Sequence, residues 1–165
     1  MDIAQDGRAW PVTSHGQDWQ IAWLPPPDPP EGISHGSAAV CFSGDQVVLV
    51  SDGDERWGMP GGRPEAGETW VDVLVREVLE EACADVTAQR LIGYSRGSCV
   101  RGPEQGRILV RAWWVATVEL RPWQPGHETT GRRLVSPGHV YDSIWIEDGF
   151  APLYRRIMRE AGLRS

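Results

Sequence analysis

The chain has 165 residues, which is long enough for one domain with a substantial hydrophobic core. Its hydrophobic content of 41% and charged content of 24% are ordinary for a soluble protein, and no apolar run reaches the roughly 18 residues of a membrane span. The net charge of −7 argues against a nucleic-acid polymer as the main partner, because binding a polyanion requires a basic surface.

The cysteines and the N-terminus predict a cytoplasmic protein. The 3 cysteines are widely spaced without a CxxC pair, which favours free thiols in a reducing compartment over a disulfide framework or a zinc site. The N-terminal MDIAQDGRAW is acidic and lacks the apolar core of a signal peptide, so we expect no export. All 16 basic residues are arginine, which excludes Schiff-base chemistry and a P-loop lysine.

Residues 1–34 are predicted to form an N-terminal extension to the main body. Residues 8–24 have the pattern of two short strands around the turn SHGQD. The following PPPDPP, at 25–30, is typical of a stiff spacer. We therefore expect a hairpin and a proline-rich linker in front of a domain at 35–165.

The apolar side chains of this hairpin raise the question of what covers them. Trp10, Trp19, Ile21 and Trp23 would be exposed on a two-stranded unit, which is marginally stable by itself. Because such a patch usually marks an interface, we expect a homodimer in which the hairpin takes part. Closure over a substrate and packing against the chain's own body are the alternatives.

The main body alternates strand and helix patterns. Two runs at 37–43 and 46–51 predict a hairpin around Gly44 and Asp45. Further strands are expected at 90–97, 108–120, 133–135 and 143–147, and apolar residues at helical spacing predict a last helix at about 150–161. This order favours an α/β sandwich with helices on both faces of a mixed sheet.

The stretch from 61 to 85, GGRPEAGETWVDVLVREVLEEACAD, carries the chemistry. A capping box from Thr69 to Asp72 places the start of a helix near Trp70. Glu77, Glu80 and Glu81 then follow on an arc beside the apolar stripe of the helix, near the C-terminal end that the helix dipole makes unfavourable for negative charge.

A solvated acidic face is the ordinary interpretation of such an arc, but its position favours a cation site. The acidic arc borders the core, and the glycine-rich turn in front of the helix lets backbone carbonyls approach a shared ligand closely. Crowded carboxylates with a carbonyl nearby form an oxygen-only site, which suits Mg²⁺ or Mn²⁺.

The pattern Gly62, Glu68, Arg76-Glu77-Val78 and Glu80-Glu81 resembles the Nudix box of the Nudix hydrolases, and WGMPGG at 57–62 is similar to the lead-in of that family. The resemblance implies the Nudix α/β/α sandwich over about 35–161. It also implies a metal-dependent hydrolase that cleaves a pyrophosphate bond in a nucleoside diphosphate linked to another moiety. A non-catalytic Nudix-fold domain that binds or senses a nucleotide is the alternative.

The resemblance also implies roles for single residues. Glu80 and Glu81 would be the principal metal ligands, Glu77 a third ligand or the general base, and Arg76 would orient the glutamates. The remaining positions implied or suggested are Glu68 and a carbonyl of Gly61 or Gly62 for the metal, and Trp57, Arg56 and Glu128 for the substrate or an added carboxylate.

One residue of the sequence departs from the family pattern, and the identity of the substrate stays open. Cys83 stands where the family usually has the glycine that ends the helix in a left-handed conformation, so we expect this helix to run a turn further or to end differently. Which nucleotide derivative is the substrate is not indicated by any motif downstream of the box.

Overall fold

The computed structural model describes residues 1–165. Nine strands and three helices follow one another in the chain, with a 3-10 turn at Pro137–His139 before the second helix. The strands are β1 (Trp10–Ser14), β2 (Gln17–Leu24), β3 (Ile33–Ser43), β4 (Gln46–Ser51), β5 (Trp57–Gly58), β6 (Gly61–Gly62), β7 (Ala84–Arg101), β8 (Ile108–Leu120) and β9 (Gly131–Val135). The helices are α1 (Trp70–Ala82), α2 (Val140–Ser143) and α3 (Ala151–Glu160).

All nine strands belong to one sheet, in the order β1-β2-β7-β8-β3-β4-β5, with β6 paired to β3 and β9 paired to β4. The central pair β3–β8 is parallel and the other pairs are antiparallel, so the sheet is mixed as predicted. The parallel pair aligns Ala38 with Trp113 and Val40 with Val115 at the middle of the sheet.

The sheet is covered on both faces, which confirms the predicted sandwich. Leu74, Val78 and Ala82 of α1 pack on one face against Ala39, Cys41 and other small or β-branched residues of the strands. Leu153, Ile157 and Met158 of α3 pack on the opposite face. None of the helices is long and apolar enough to cross a membrane.

The N-terminal hairpin continues the same sheet. Its second strand, β2, pairs with β7 from Asp18 opposite Arg101 to Leu24 opposite Tyr94. Trp10, Trp19, Ile21 and Trp23 are between 0% and 9% exposed and belong to the core on the α3 face. The expectation that the hairpin exposes these side chains is therefore wrong, because β7 supplies an edge that the sequence pattern does not reveal.

Residues 143–147 do not form the predicted strand. The apolar alternation of SIWIE is real, since Ile144 is buried and Trp145 is 48% exposed. However, this segment forms no ladder with any strand: the Trp145 amide makes a single bond of 2.9 Å to the carbonyl of Trp57 in the two-residue strand β5. A strand needs a ladder of such bonds, so the segment remains an irregular connection between α2 and α3.

Helix α1 begins and ends at well-defined caps. Thr69 and Asp72 form the predicted capping box, with the Asp72 amide donating to Thr69 Oγ1 at 3.1 Å and the Thr69 amide donating to Asp72 Oδ2 at 2.9 Å. At the other end Cys83 itself adopts the left-handed conformation, with φ 51° and ψ 51°. The helix thus stops where a glycine would stop it, at a steric cost of about 1 kcal/mol or more, and it does not run a turn further.

Candidate active site

Five of the predicted side chains line one polar cavity, the glutamate cavity, of about 680 Å³. It lies between the C-terminal half of α1, the turn that contains β6, and the loop before β9. None of its lining residues is hydrophobic; they are Gly61, Gly62, Arg63, Pro64, Glu65, Arg76, Glu77, Glu80, Glu81, Arg111, His127 and Glu128. The glutamates of the helix therefore face a shared space, as the sequence predicts.

Glu81 is the deepest carboxylate of this set. The Gly61 amide donates to its Oε1 at 2.8 Å, which ties the glycine turn to the end of the helix. The pKa of Glu81 is raised to about 7, mainly by burial and with smaller contributions from the charges of Glu77 and Glu128, while the bond from Gly61 opposes the shift. A carboxyl group in this setting is readily neutralised by a proton or a cation.

Glu77 lies against the second glycine of the turn. A methyl group on Gly62 would stand 2.4 Å from Cδ of Glu77, so a larger residue there would require this carboxylate to move. Burial raises the pKa of Glu77, the contact with Arg76 lowers it, and Glu80 and Glu128 raise it again. Glycine at 62 thus leaves Glu77 in its place beside the turn.

Arg76 connects the carboxylates that flank the cavity. Its Nη1 donates to Glu77 at 2.7 Å and to Glu80 at 3.3 Å, and its Nη2 donates to the Arg63 carbonyl at 2.9 Å. The same guanidinium holds Glu68 through two bonds of 2.8 Å. It is therefore placed to orient the glutamates, which is the role that the family resemblance implies.

Glu68 lies outside the lining of the cavity. Both of its oxygens accept hydrogen bonds, from Arg76 and from the Glu65 amide, and the bonds from Arg76 are the main reason that its pKa falls to about 2. Its contacts fit a residue that fixes Arg76 better than one that binds a metal directly.

Glu128 joins the glutamates from the opposite side. The neighbouring Thr129 is 4% exposed, and its hydroxyl donates to the Glu81 carbonyl at 2.6 Å, which anchors the loop to the end of α1. This bond brings Glu128 and His127 into the glutamate cavity. The sequence singled out Glu128 but not His127, which has no ligand spacing to mark it.

The donor set of the cavity fits a hard divalent cation. Five carboxylates line it, two of them have raised pKa values, and no sulfur or hydrophobic side chain is among its walls. The oxygens do not form a preformed shell, since no group of three or more acidic, histidine or cysteine side chains stands in metal-binding geometry. Arg76 instead occupies oxygens of Glu77 and Glu80.

Trp57 and Arg56 lie away from this cavity. The guanidinium of Arg133 stacks over the ring of Trp57 at 4.5 Å, and that of Arg56 stacks over Trp145 at 4.3 Å. Neither residue lines the space around the glutamates. The structure therefore does not bring these two predicted substrate contacts together with Glu128.

Arg111 is, like His127, a residue of the site that sequence reasoning missed. It is partly buried on β8 and lines the glutamate cavity as well as a neighbouring cavity between the N-terminal hairpin and α3. Its signal in the sequence is a positive charge within the apolar run ILVRAWWVATVEL, whose other charged residue, Glu119, is next to the end. A charge at such a position needs a polar space to face, since burial lowers the pKa of an arginine.

Known proteins resemble this chain in sequence or in fold. Diphosphoinositol polyphosphate phosphohydrolase 3-beta of Bos taurus is 41% identical over 69 residues, which are 39% of this chain and 42% of that relative. The pyrophosphohydrolase BsRppH of Bacillus subtilis superposes with a TM-score of 0.65 at 20% identity, covering 93% of this chain and 98% of that one. A NUDIX hydrolase of Nitrosomonas europaea superposes with a TM-score of 0.60 at 21% identity, covering 81% and 92%.

The chain spans less than half the length of the curated relative that it matches, and the two solved structures share its fold. A family model gives the widest sequence match, since residues 34–160 fit the NUDIX domain. This range contains the glycine turn, helix α1 and the loop of Glu128. The resemblance drawn from the spacing of Gly62, Glu68, Arg76 and the glutamates is thereby confirmed, and the chain belongs to the NUDIX domain family.

Proposed function

We propose that the chain is a Nudix-type hydrolase that uses Mg²⁺ or Mn²⁺ to cleave the pyrophosphate bond of a nucleoside diphosphate linked to another moiety. The observation that carries this proposal is the cavity into which Glu77, Glu80, Glu81 and Glu128 face without any hydrophobic neighbour. A diphosphate is polyanionic, so an acidic cavity can receive it only together with cations.

Glu80 and Glu81 would hold the cation, with Glu77, Glu128 and a carbonyl of Gly61 or Gly62 as further oxygen ligands. When bound, the ion lowers the pKa of water and neutralises charge on the bridging phosphates. Glu77 would be the alternative general base, because its partly buried carboxylate has a raised pKa and lines the same cavity. Arg76 would keep the carboxylates oriented, with Glu68 fixing Arg76.

The test is a substrate panel in Mg²⁺, in Mn²⁺ and in excess EDTA, with the cleavage products separated and quantified by chromatography. Hydrolysis of the pyrophosphate bond of a nucleoside diphosphate derivative gives a nucleoside monophosphate and a second phosphomonoester, without free phosphate. The panel should contain nucleoside diphosphate sugars, dinucleoside diphosphates and nucleoside triphosphates. It should also contain a diphosphoinositol polyphosphate, the compound in the name of the curated relative. Metal-dependent turnover of a nucleotide supports the proposal, and turnover that persists in EDTA contradicts it.

A nucleotide-binding domain without catalysis is the competing function. It would bind a member of the panel without cleaving it. The presence of Arg76 and of all three helix glutamates in one cavity favours the enzyme, because binding alone does not need them all.

The location and the assembly of the protein are separate proposals. The three free cysteines support a cytoplasmic location. A homodimer stays a prediction, and burial of the hairpin tryptophans within the chain removes the argument on which it was based. The mass of the full chain in solution at tens of micromolar tests it, and a monomer there would contradict it.

A further inference from the structure

A second cavity, the hairpin cavity, adjoins the glutamate cavity. It has a volume of about 470 Å³, in the range of small-molecule sites. Arg63 and Arg111 line both cavities, so the two spaces meet at these side chains. A ligand that occupies both cavities would therefore have to contact Arg63 or Arg111.

The junction between the cavities carries positive charge that the chain does not neutralise. Three arginines line the hairpin cavity: Arg63, Arg96 and Arg111. None of them forms an ion pair within the chain. Other arginines do form ion pairs, among them Arg76, Arg101 and Arg156. The one hydrogen bond of Arg111 goes to the His35 carbonyl at 3.2 Å. Unpaired guanidinium groups beside the glutamate cavity are suited to bind an anionic group of a ligand, such as a phosphate.

The pKa of His35 is lowered by burial and by the same positive charges. Burial, together with the charges of Arg111 and Arg63, lowers the pKa of His35 to about 4, so this side chain is neutral at pH 7. The arginines are therefore the cationic groups of the junction at neutral pH.

The inner part of the hairpin cavity is apolar and aromatic. Trp19 and Ile21 of β2 contribute from the hairpin, and Trp113 of β8 faces them with its indole N–H fixed to the Ser95 hydroxyl at 2.8 Å. Phe150 in front of helix α3 closes the space together with Leu153 and Tyr154 of the helix. The rings of Tyr154 and Trp113 form a T-shaped pair with their centroids 6.0 Å apart, and the Tyr154 hydroxyl has no hydrogen-bond partner in the chain. A planar ring with polar edges suits such walls.

Negative and neutral polar groups line the hairpin side of this cavity. Glu147 accepts bonds of 2.8 and 3.1 Å from the Ser14 hydroxyl, and Glu104 accepts one of 2.8 Å from Gln17. These carboxylates would repel a ligand that carries phosphates around its whole circumference, but they can accept hydrogen bonds from the N–H groups of a base. The charge distribution thus favours a ligand that is anionic at the junction and uncharged beyond it.

We infer that the hairpin cavity binds the nucleoside monophosphate part of the substrate, with its phosphate at Arg63 and Arg111 and its base between the walls from β2, β8 and α3. The N-terminal hairpin is then a specificity element of the site. This inference rests on the proposed function for the reaction, but it concerns binding that needs neither the metal nor turnover.

Calorimetric titration of the intact protein in excess EDTA tests the inference, with AMP, GMP, CMP, UMP, ribose 5-phosphate and inositol hexakisphosphate as probes. We expect at least one nucleotide to bind about tenfold or more tightly than ribose 5-phosphate, because only the nucleotide has a base to stack. The inference is overturned if no nucleotide exceeds ribose 5-phosphate, or if inositol hexakisphosphate binds more tightly than every nucleotide.

Two variants locate the binding. Arg111→Gln removes the charge at the junction and should raise the Kd of that nucleotide about tenfold or more. Gly97→Val fills the cavity from its β7 side, where an added Cβ would contact Trp19 at 3.4 Å and Ile21 at 3.5 Å, an ordinary packing distance on a strand that favours β-branched residues. It should weaken nucleotide binding by a similar factor.

Arg90→Gln and Ala88→Val are the matched controls, because both positions are exposed on the same strand, β7, outside the cavities. Melting curves identify any variant that has lost its fold. The test then rests on the nucleotide affinity of the other variant. Unchanged nucleotide affinity in a folded Arg111→Gln or Gly97→Val protein would overturn the inference. Nucleotide binding without turnover in Mg²⁺ would instead refute the proposed reaction and leave the binding site standing.

Discussion

The Gly61 amide donates to Oε1 of Glu81 at 2.8 Å, and the second oxygen of that carboxylate accepts no hydrogen bond from the chain. The bond joins two residues that are 20 positions apart and fixes one oxygen against the glycine turn. The other oxygen is left for a ligand in the glutamate cavity. The Glu81 side chain thus fixes the turn to the helix with one oxygen and leaves its other oxygen free to coordinate a cation.

Replacement of the glutamates should separate catalysis from folding. Glu80→Gln and Glu81→Gln keep the size of the side chain but remove a charge from the cation site, so each should lower kcat about 10²-fold or more. In Glu81→Gln the new side-chain amide oxygen can still accept the bond from Gly61, so we expect the fold to survive. The rate is measured on the best substrate of the panel, with Glu119→Gln on the exposed side of β8 as the control. Near-normal rates in both variants would place the chemistry elsewhere.

The stability of the metal-free protein should depend on Glu81. Its pKa is raised from 4.5 to about 7, so between these values the folded chain binds more protons than the unfolded chain. Stability therefore falls as the pH rises through this window. His35, whose pKa is lowered from 6.5 to about 4, acts in the opposite direction between those values.

The comparison of Glu81→Gln with the unmodified chain isolates the contribution of Glu81. Melting temperatures are measured in EDTA from pH 5 to pH 8. The variant should gain stability relative to the unmodified chain as the pH increases, because it never carries the buried charge. If the melting temperatures of the two proteins change in parallel with pH, the raised pKa of Glu81 is contradicted.

Divalent cations should stabilise the folded chain. A ligand that binds only the folded state at 100 times its Kd adds about 2.7 kcal/mol to the free energy of unfolding. We expect Mg²⁺ or Mn²⁺ to raise the melting temperature at neutral pH and to do so much less in the double variant Glu80→Gln, Glu81→Gln. A shift of equal size in that variant would mean that the cation binds outside the glutamate cavity.

Removal of Arg76 should destabilise the turn in front of α1. Arg76→Met leaves Glu68, Glu77 and Glu80 without their shared cation, and their mutual repulsion then opposes the fold. The urea midpoint should fall further than in Arg101→Met, which breaks an exposed pair with Asp18. Mg²⁺ should restore part of the loss in Arg76→Met and none in Arg101→Met. Equal urea midpoints for the two variants would contradict the role of Arg76 as the shared ion-pair partner of the three glutamates.

The left-handed cap at Cys83 should be improved by glycine. Cys83→Gly removes the steric cost of φ 51° and should raise the free energy of unfolding by roughly 0.5–1 kcal/mol, after the larger entropy of glycine in the unfolded chain is subtracted. The reciprocal control is Gly162→Ala after α3, where φ is 75° and no atom would clash with the added methyl group. That change should cost about 1 kcal/mol. A loss of stability in Cys83→Gly would show that the bond from its thiol to the Gln124 carbonyl matters more.

Local patterns in the sequence predicted the elements that depend on near neighbours. The capping box of Thr69 and Asp72 fixes the start of α1 within four residues, and the alternation of Trp19, Ile21 and Trp23 identifies a strand without reference to the rest of the chain. The cluster of Glu77, Glu80 and Glu81 could be predicted because a helix places residues three and four apart side by side.

Features that depend on distant segments could not be predicted in the same way. The segment SIWIE alternates like a strand but pairs with none, and only the folded chain reveals this. The hairpin tryptophans are covered by β7 and α3, which lie far away in sequence. Arg111 joins the site because the topology places the first half of β8 beside the glutamate cavity, and no spacing within β8 indicates that position.

The pairing of β2 with β7 also has a consequence for the nascent chain. Residues 18–24 find their partners among residues 94–101, so the N-terminal tryptophans leave the ribosome long before the strand that covers them exists. Such distant pairing is slow to form, and until then the hairpin has only marginal stability of its own. During synthesis these side chains therefore remain uncovered apolar surface until β7 has been made, which favours contacts with other nascent chains.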